Sequence, residues 1–268
     1  MTHAINLKTM STGRRWTRDE QLVVLNLYCK LPFGQLHQRN PRIVEVAEKL
    51  ARTPGSIAMK LVNFASLDPK LQARDIQGLK NVSRADQALW HELETNWDEV
   101  LLESETKINA LLNPSPPKQE ESGLTTVSSP WETETEVTRQ VKQRLRQNLF
   151  REMVLSAYNY QCCLTGNPIP ELLIASHILP WSEFPEERLN PHNGLCLART
   201  QDAAFDRGLI SFDQNYSLLI SSRLRQFLPH KTLQDNFLDY QDQPLQSPHK
   251  FLPNSEFLQY HRTHIYQQ

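Results

Sequence analysis

No stretch of this chain stays apolar for anything near the ~18 residues that cross a membrane. Cysteine is scarce: Cys29, Cys162, Cys163 and Cys196 are the whole complement, with no Cys-x-x-Cys pair. Zinc ribbons and a disulfide scaffold are thereby disfavoured. The opening residues, Met-Thr-His-Ala-Ile-Asn-Leu-Lys, lack the apolar core of a secretory leader. A cytoplasmic protein without membrane association is the expectation. There is no internal repeat. What remains is ordinary globular material: 268 residues, 39% hydrophobic and 22% charged, enough for two domains with cores of their own.

The net charge of −1 conceals three blocks. Residues 1–84 hold fourteen Lys and Arg against six Asp and Glu; residues 85–137 hold two against twelve. The remainder is nearly balanced, thirteen against twelve, with five of its cations between Arg139 and Arg151. Such segregation predicts separate jobs along the chain.

Thr17 and Glu20 form a capping-box pattern ahead of a helix reaching about Leu31. Asn40-Pro41 and Thr53-Pro54 start two more, each with proline at the first helical position. Three short helices with a tight second connection resemble a helix-turn-helix, whose third helix enters the major groove. On that reading Lys60 and Asn63, helped by Arg52, contact DNA. The plainer reading is a small helical domain kept soluble by its lysines. Trp16 and Trp90 are read as packing residues. From Ser83 to Leu112 the pattern is helical and acidic, fit for a solvated face, a strut or an internal partner for basic surface. The expected organisation is a helical, DNA-binding domain over 1–112, a flexible linker over 113–136 and a second domain over 137–268. Trp131 is the one large aromatic in that linker.

The second domain opens with a cationic amphipathic helix from about Thr138 to Tyr158, on which Arg144 and Arg146 are candidates for phosphate contact. Then come a strand ending in Ile174-Ala-Ser-His177, a Pro- and Glu-rich loop, Asn193-Gly194, a returning strand and a helix from Thr200 to Arg207. Asp202 and Asp206 stand four apart on that helix, so they project from one face and can converge on a single cation. Gly208 stops it, and Leu209-Ile-Ser-Phe and Tyr216-Ser-Leu-Leu-Ile make a further hairpin. His261 and His264 lie on a short C-terminal helix and are read as packing residues.

The stretch Ser-His-Ile-Leu-Pro-Trp181 to Phe-Asp-Arg-Gly-Leu-Ile210, with Cys-x-Leu-Thr-Gly upstream, resembles the HNH or ββα-metal endonucleases, over roughly 137–268. The resemblance implies a ββα-metal domain with an added β-hairpin, which together with the all-α, helix-turn-helix-like N-terminal domain read above makes an α+β chain. It makes His177 the general base and Asn193 the residue that ties down the inter-strand loop. It puts Asp202 and Asp206 where the family's metal ligands stand. Many members carry Asp or His just before the base; here Ser176 holds that place, as at most a weak ligand. Oxygen ligands favour Mg²⁺ or Mn²⁺. Arg199 and Arg207 flank the site and would hold phosphate oxygens. The activity implied is metal-dependent hydrolysis of DNA, in a setting such as restriction of foreign DNA, with a homodimer supplying two centres. A non-catalytic DNA-binding regulator with a decayed nuclease half, and an RNA-directed nuclease or toxin, remain as alternatives.

Overall fold

The computed structural model describes residues 14–73, 82–114 and 136–268, with backbone alone over 136–139. The opening thirteen residues and nearly all of the expected linker, Trp131 included, lie outside the described residues. Helix α1 (Arg18–Lys30) begins at the Thr17–Glu20 capping box, both halves of which form. Every residue from Glu20 to Lys30 is buried. This helix is buried on all sides, its interior polar residues Glu20, Gln21, Asn26 and Lys30 each paired, and α1 is the axle around which the other helices are laid. Helices α2 (Pro41–Lys49) and α3 (Pro54–Ala65) start at Asn40 and Thr53, whose side chains cap them. Then come α4 (Pro69–Gln72), α5 (Arg84–Thr95) and α6 (Trp97–Leu112).

The acidic stretch is two helices. The backbone leaves helical geometry at Asn96 (φ −148°, ψ 81°), whose side chain caps α6 through the Glu99 N–H. Its carboxylates serve as internal partners for basic residues. Glu92 and Glu103 hold Arg18, and Glu105 holds Lys30 and Asn26.

Helix α3 does not have the surface of a recognition helix. Lys60, only 4% exposed, lays its ammonium between the two carboxylate oxygens of buried Asp86, 2.8 Å from each. Asn63 is buried. Arg52 is buried too; its guanidinium binds Glu20 at 2.8 Å and stacks 3.8 Å over the Trp16 ring. Lys60, Asn63 and Arg52 are therefore corrected from candidate DNA contacts to interior residues, since each is held away from any phosphate. Trp16 and Trp90 pack against the core, as expected.

In the C-terminal half, α7 (Glu136–Ala157) lies against α1 and leads to strand β1 (Leu173–His177). β1 pairs antiparallel with β2 (Gly194–Ala198), register Leu173↔Ala198 to His177↔Gly194, and α8 (Arg199–Asp206) follows directly. The second hairpin is β3 (Ile210–Phe212) with β4 (Leu218–Ile220), its turn closed by the Asp213 carboxylate accepting from the Asn215 and Ser217 N–H groups. Short helices α9 (Ser222–Arg225) and α10 (Lys231–Asn236) precede α11 (Ser255–His264). All four cysteines are free and buried.

The two halves share one core. Lys250, fully buried, donates to the backbone carbonyls of Tyr28, Cys29 (2.8 Å) and Leu31 (2.9 Å), the unpaired carbonyls at the C-terminus of α1. Arg146 makes a bidentate pair with Asp98 at the start of α6, so this candidate phosphate contact is corrected to an internal strut. Trp97 stands edge-on to both His192 and Phe251. The N-terminal helices are bolted to the C-terminal half rather than swinging free of it.

The Lys60–Asp86 pair supplies a test. Lys60→Met, by stranding a buried carboxylate, should cost about 3–5 kcal/mol in urea unfolding, and pairing it with Asp86→Leu should recover most of that. A loss below about 1 kcal/mol would mean that the ammonium is not held inside.

Candidate active site

The position of His177 follows from the strand pairing. It is the last residue of β1, opposite Gly194. A Cβ at Gly194 would meet Val154 Cγ2 at 2.4 Å and Phe150 Cζ at 3.0 Å, so only glycine lets α7 press this close to the sheet. Phe150 thereby reaches the His177 ring and stacks on it at 3.7 Å, while Trp181 meets it edge-on at 5.1 Å. The imidazole Nε2 lies 3.1 Å from the Arg188 carbonyl. A carbonyl only accepts, so Nε2 carries the proton in the neutral ring and Nδ1 keeps the lone pair. Burial pushes the His177 pKa down to about 4, outweighing the Arg188 hydrogen bond that raises it.

Asn193 is buried and its side chain spans the loop between the strands. Its Oδ1 accepts from the Leu179 N–H at 2.8 Å, and its Nδ2 donates to the Glu187 carbonyl at 3.1 Å. Its own carbonyl accepts from the Ile178 N–H at 2.9 Å. The backbone on either side of this clamp carries His177 and Arg188, the ring and the carbonyl that orients it.

Asp202 and Asp206 share a cavity of about 460 Å³ with Ser176, His177 and Trp181. Burial raises both carboxyls; Asp206 reaches about 6, with the neighbouring Asp202 charge adding to the rise. Arg199 and Arg207, both exposed, lower Asp202 and Asp206 respectively but form no salt bridge with them among the described residues. Arg207 donates to the Ala203 carbonyl at 3.1 Å. Ser176 Oγ is buried, 2% exposed, without a hydrogen bond of normal length, and its approach to Asp202 eases that carboxyl's ionisation. Arg144 stands exposed on α7.

These donors fit a hard divalent ion. Two carboxyls raised by burial, Asp206 also by the charge of Asp202, and a buried hydroxyl in one cavity supply charge and oxygen where a cation would relieve the strain of burial. No cluster of three His, Cys, Asp or Glu residues among the described residues could hold a metal. The aspartates would leave most of the shell to water and phosphate, the habit of Mg²⁺.

Sequence reasoning missed Phe150, Trp181 and the Arg188 carbonyl as the frame of the imidazole. Trp181 stood in the motif that carried the resemblance and Phe150 lay on the expected cationic helix, but nothing in their spacing says that they meet. His261 also lines the cavity, bonded to Ser211 Oγ (2.9 Å) and the Phe205 carbonyl (3.1 Å) and lying flat on the Phe205 ring, a packing role as expected.

The raised Asp206 carboxyl sets a stability prediction. Its folded pKa of about 6 lies above the ~3.9 of a free aspartate, so ionisation weakens the fold as pH rises through that interval and costs nothing below it. In EDTA near neutral pH, Asp206→Asn should be more stable than wild type by on the order of 1 kcal/mol, a figure reduced because the carboxyl keeps solvent contact. The gain should vanish at about pH 4. Saturating Mg²⁺ or Mn²⁺ should raise the wild-type melting temperature and leave that of Asp206→Asn nearly unmoved. A wild-type midpoint indifferent to both ions would contradict the fit.

No curated protein matches the chain. Residues 162–213 match the family model described as HNH endonuclease. That segment contains β1, the Asn193 clamp, β2, α8 and β3, so this part of the chain is similar to HNH endonuclease domains.

Proposed function

We propose that this protein is a divalent-metal-dependent DNA endonuclease in which His177 is the general base and Asp202 and Asp206 hold the ion, with Ser176 at the edge of its shell. One observation carries the reading: the imidazole and the carboxylate pair line the same cavity. A divalent ion there would neutralise the scissile phosphate and its leaving oxygen. His177 would take a proton from water at Nδ1, its ring held by the Arg188 carbonyl and steadied by Phe150. A base at about 4 is neutral at physiological pH and weak, and an arriving phosphate anion favours its protonated form. Asn193 positions the loop and does not touch the reacting atoms. Arg199 and Arg207, exposed beside the aspartates, reach for flanking phosphates, and Arg144 for a more distant one. We place the enzyme in the cytoplasm, restricting foreign DNA, as a homodimer when both strands are cut.

The test compares wild type with His177→Ala on plasmid DNA in Mg²⁺, Mn²⁺ or EDTA. Cutting should require metal and fall by about 10²–10⁴ in the variant, the contribution of a positioned base. DNA retention in a mobility-shift assay should be unchanged. Equal cutting by both proteins would refute the assignment, and retention without cutting under any metal would favour a non-catalytic binder.

A further inference from the structure

Beside the carboxylate cavity lies a larger one of about 960 Å³, and Asp206 and Ile265 form part of the wall of both. Its polar lining carries two guanidinium groups, Arg207 and Arg223, beside the imidazoles of His230 and His264, with Asp206 the one carboxylate among the lining residues. Its floor is apolar, built on Leu224, Leu233 and Phe237. Arg223 is oriented by Gln267, to whose side-chain amide oxygen Oε1 it donates at 3.2 Å. At the edge stands Phe227, 67% exposed, the most exposed large apolar side chain among the described residues and the one aromatic in that class. A single exposed ring is ordinary on a protein surface, but this one stands in the wall of a cavity beside two arginines.

A purely apolar ligand would leave the guanidinium groups unanswered, and a simple anion would leave the ring and the floor exposed. A nucleotide answers both, with a π-face for Phe227 and a phosphate for the arginines. The volume suits a small-molecule-sized group. We propose that this cavity receives one nucleobase of the bound strand, turned out of its stack next to the scissile phosphate. Phe227 stacks on the base, and Arg207 and Arg223 hold the adjoining phosphates. The shared Asp206 wall sets the distance between this base and the bond to be cut, so the cavity gives the enzyme a preference at one neighbouring position. The inference rests on the endonuclease reading for its placement, while the cavity's affinity can be measured without cleavage.

Full-length protein in EDTA is titrated with 5′-dAMP, 2′-deoxyadenosine or inorganic phosphate by calorimetry. The expected result is that dAMP binds more tightly than either fragment. Phe227→Ala should weaken dAMP roughly tenfold, the size of a lost base–aromatic stack, and leave phosphate unaffected. Phe227→Trp should restore affinity, which separates stacking from any loss of fold. Arg223→Ala should weaken dAMP and phosphate alike, and His177→Ala should change none of the three. Binding of dAMP no tighter than phosphate, or indifferent to Phe227→Ala, would overturn the proposal even if the protein cuts DNA. Phe227-dependent binding by a protein that cuts nothing would instead retain the pocket and remove the nuclease.

Discussion

Two carboxylates one helical turn apart, drawn partly out of water and without a salt bridge among the described residues, are the constraint this structure is built to sustain. Left alone, such a pair resists ionisation, and the rise of the Asp206 pKa to about 6 is the mark of that resistance. The fold keeps them in place by fixing both ends of α8. At the start, β2 runs straight into the helix with its strand paired residue for residue to β1. At the end, Gly208 takes a left-handed conformation (φ +66°), and the carbonyl of Ile265 lies 2.0 Å from where a Cβ would be. The C-terminal segment is thus drawn against the helix end, and Ile265 becomes a wall of both cavities.

The imidazole is governed by the same economy of contacts. A stacked phenyl ring, an edge-on indole and a backbone carbonyl fix its plane and its tautomer, while the Asn193 amide holds the loop that brings the carbonyl. The frame reaches further back than the matched family segment. Phe150 sits on α7, and α7 leans on α1, whose C-terminal carbonyls are closed by Lys250. Burial pushes that amine down to about 7, so its three carbonyl partners hold a charge that the interior otherwise disfavours. The N-terminal helices therefore form part of the scaffold behind the His177 ring.

The starts of the first three helices were legible in the sequence because capping is local: Thr17 with Glu20, Asn40-Pro41 and Thr53-Pro54 act within one turn. The ββα order and the second hairpin were legible through motif and turn chemistry. What escaped was anything decided by a partner far along the chain. Lys60 on a helix reads the same whether it faces water or a buried acid, and its partner Asp86 lies twenty-six residues on, in a different helix. Arg146 finds Asp98 forty-eight residues away, and Phe150 finds His177 through a glycine in yet another strand. The cavity under Phe227 is assembled from α8, α9, α10 and the C-terminal segment, and no single stretch carries its signature. The break at Asn96 lay within a continuous helical pattern, and only the asparagine itself could have marked it.

The central claim is geometric, and the most direct measurement is crystallographic: the position of Mn²⁺, read from its anomalous scattering, in crystals of the full chain. The account predicts a peak within coordination distance of both Asp202 and Asp206, inside the cavity that His177 lines, and its loss in Asp206→Asn. A peak elsewhere on the molecule, or density for Mn²⁺ that survives that substitution unchanged, would contradict it.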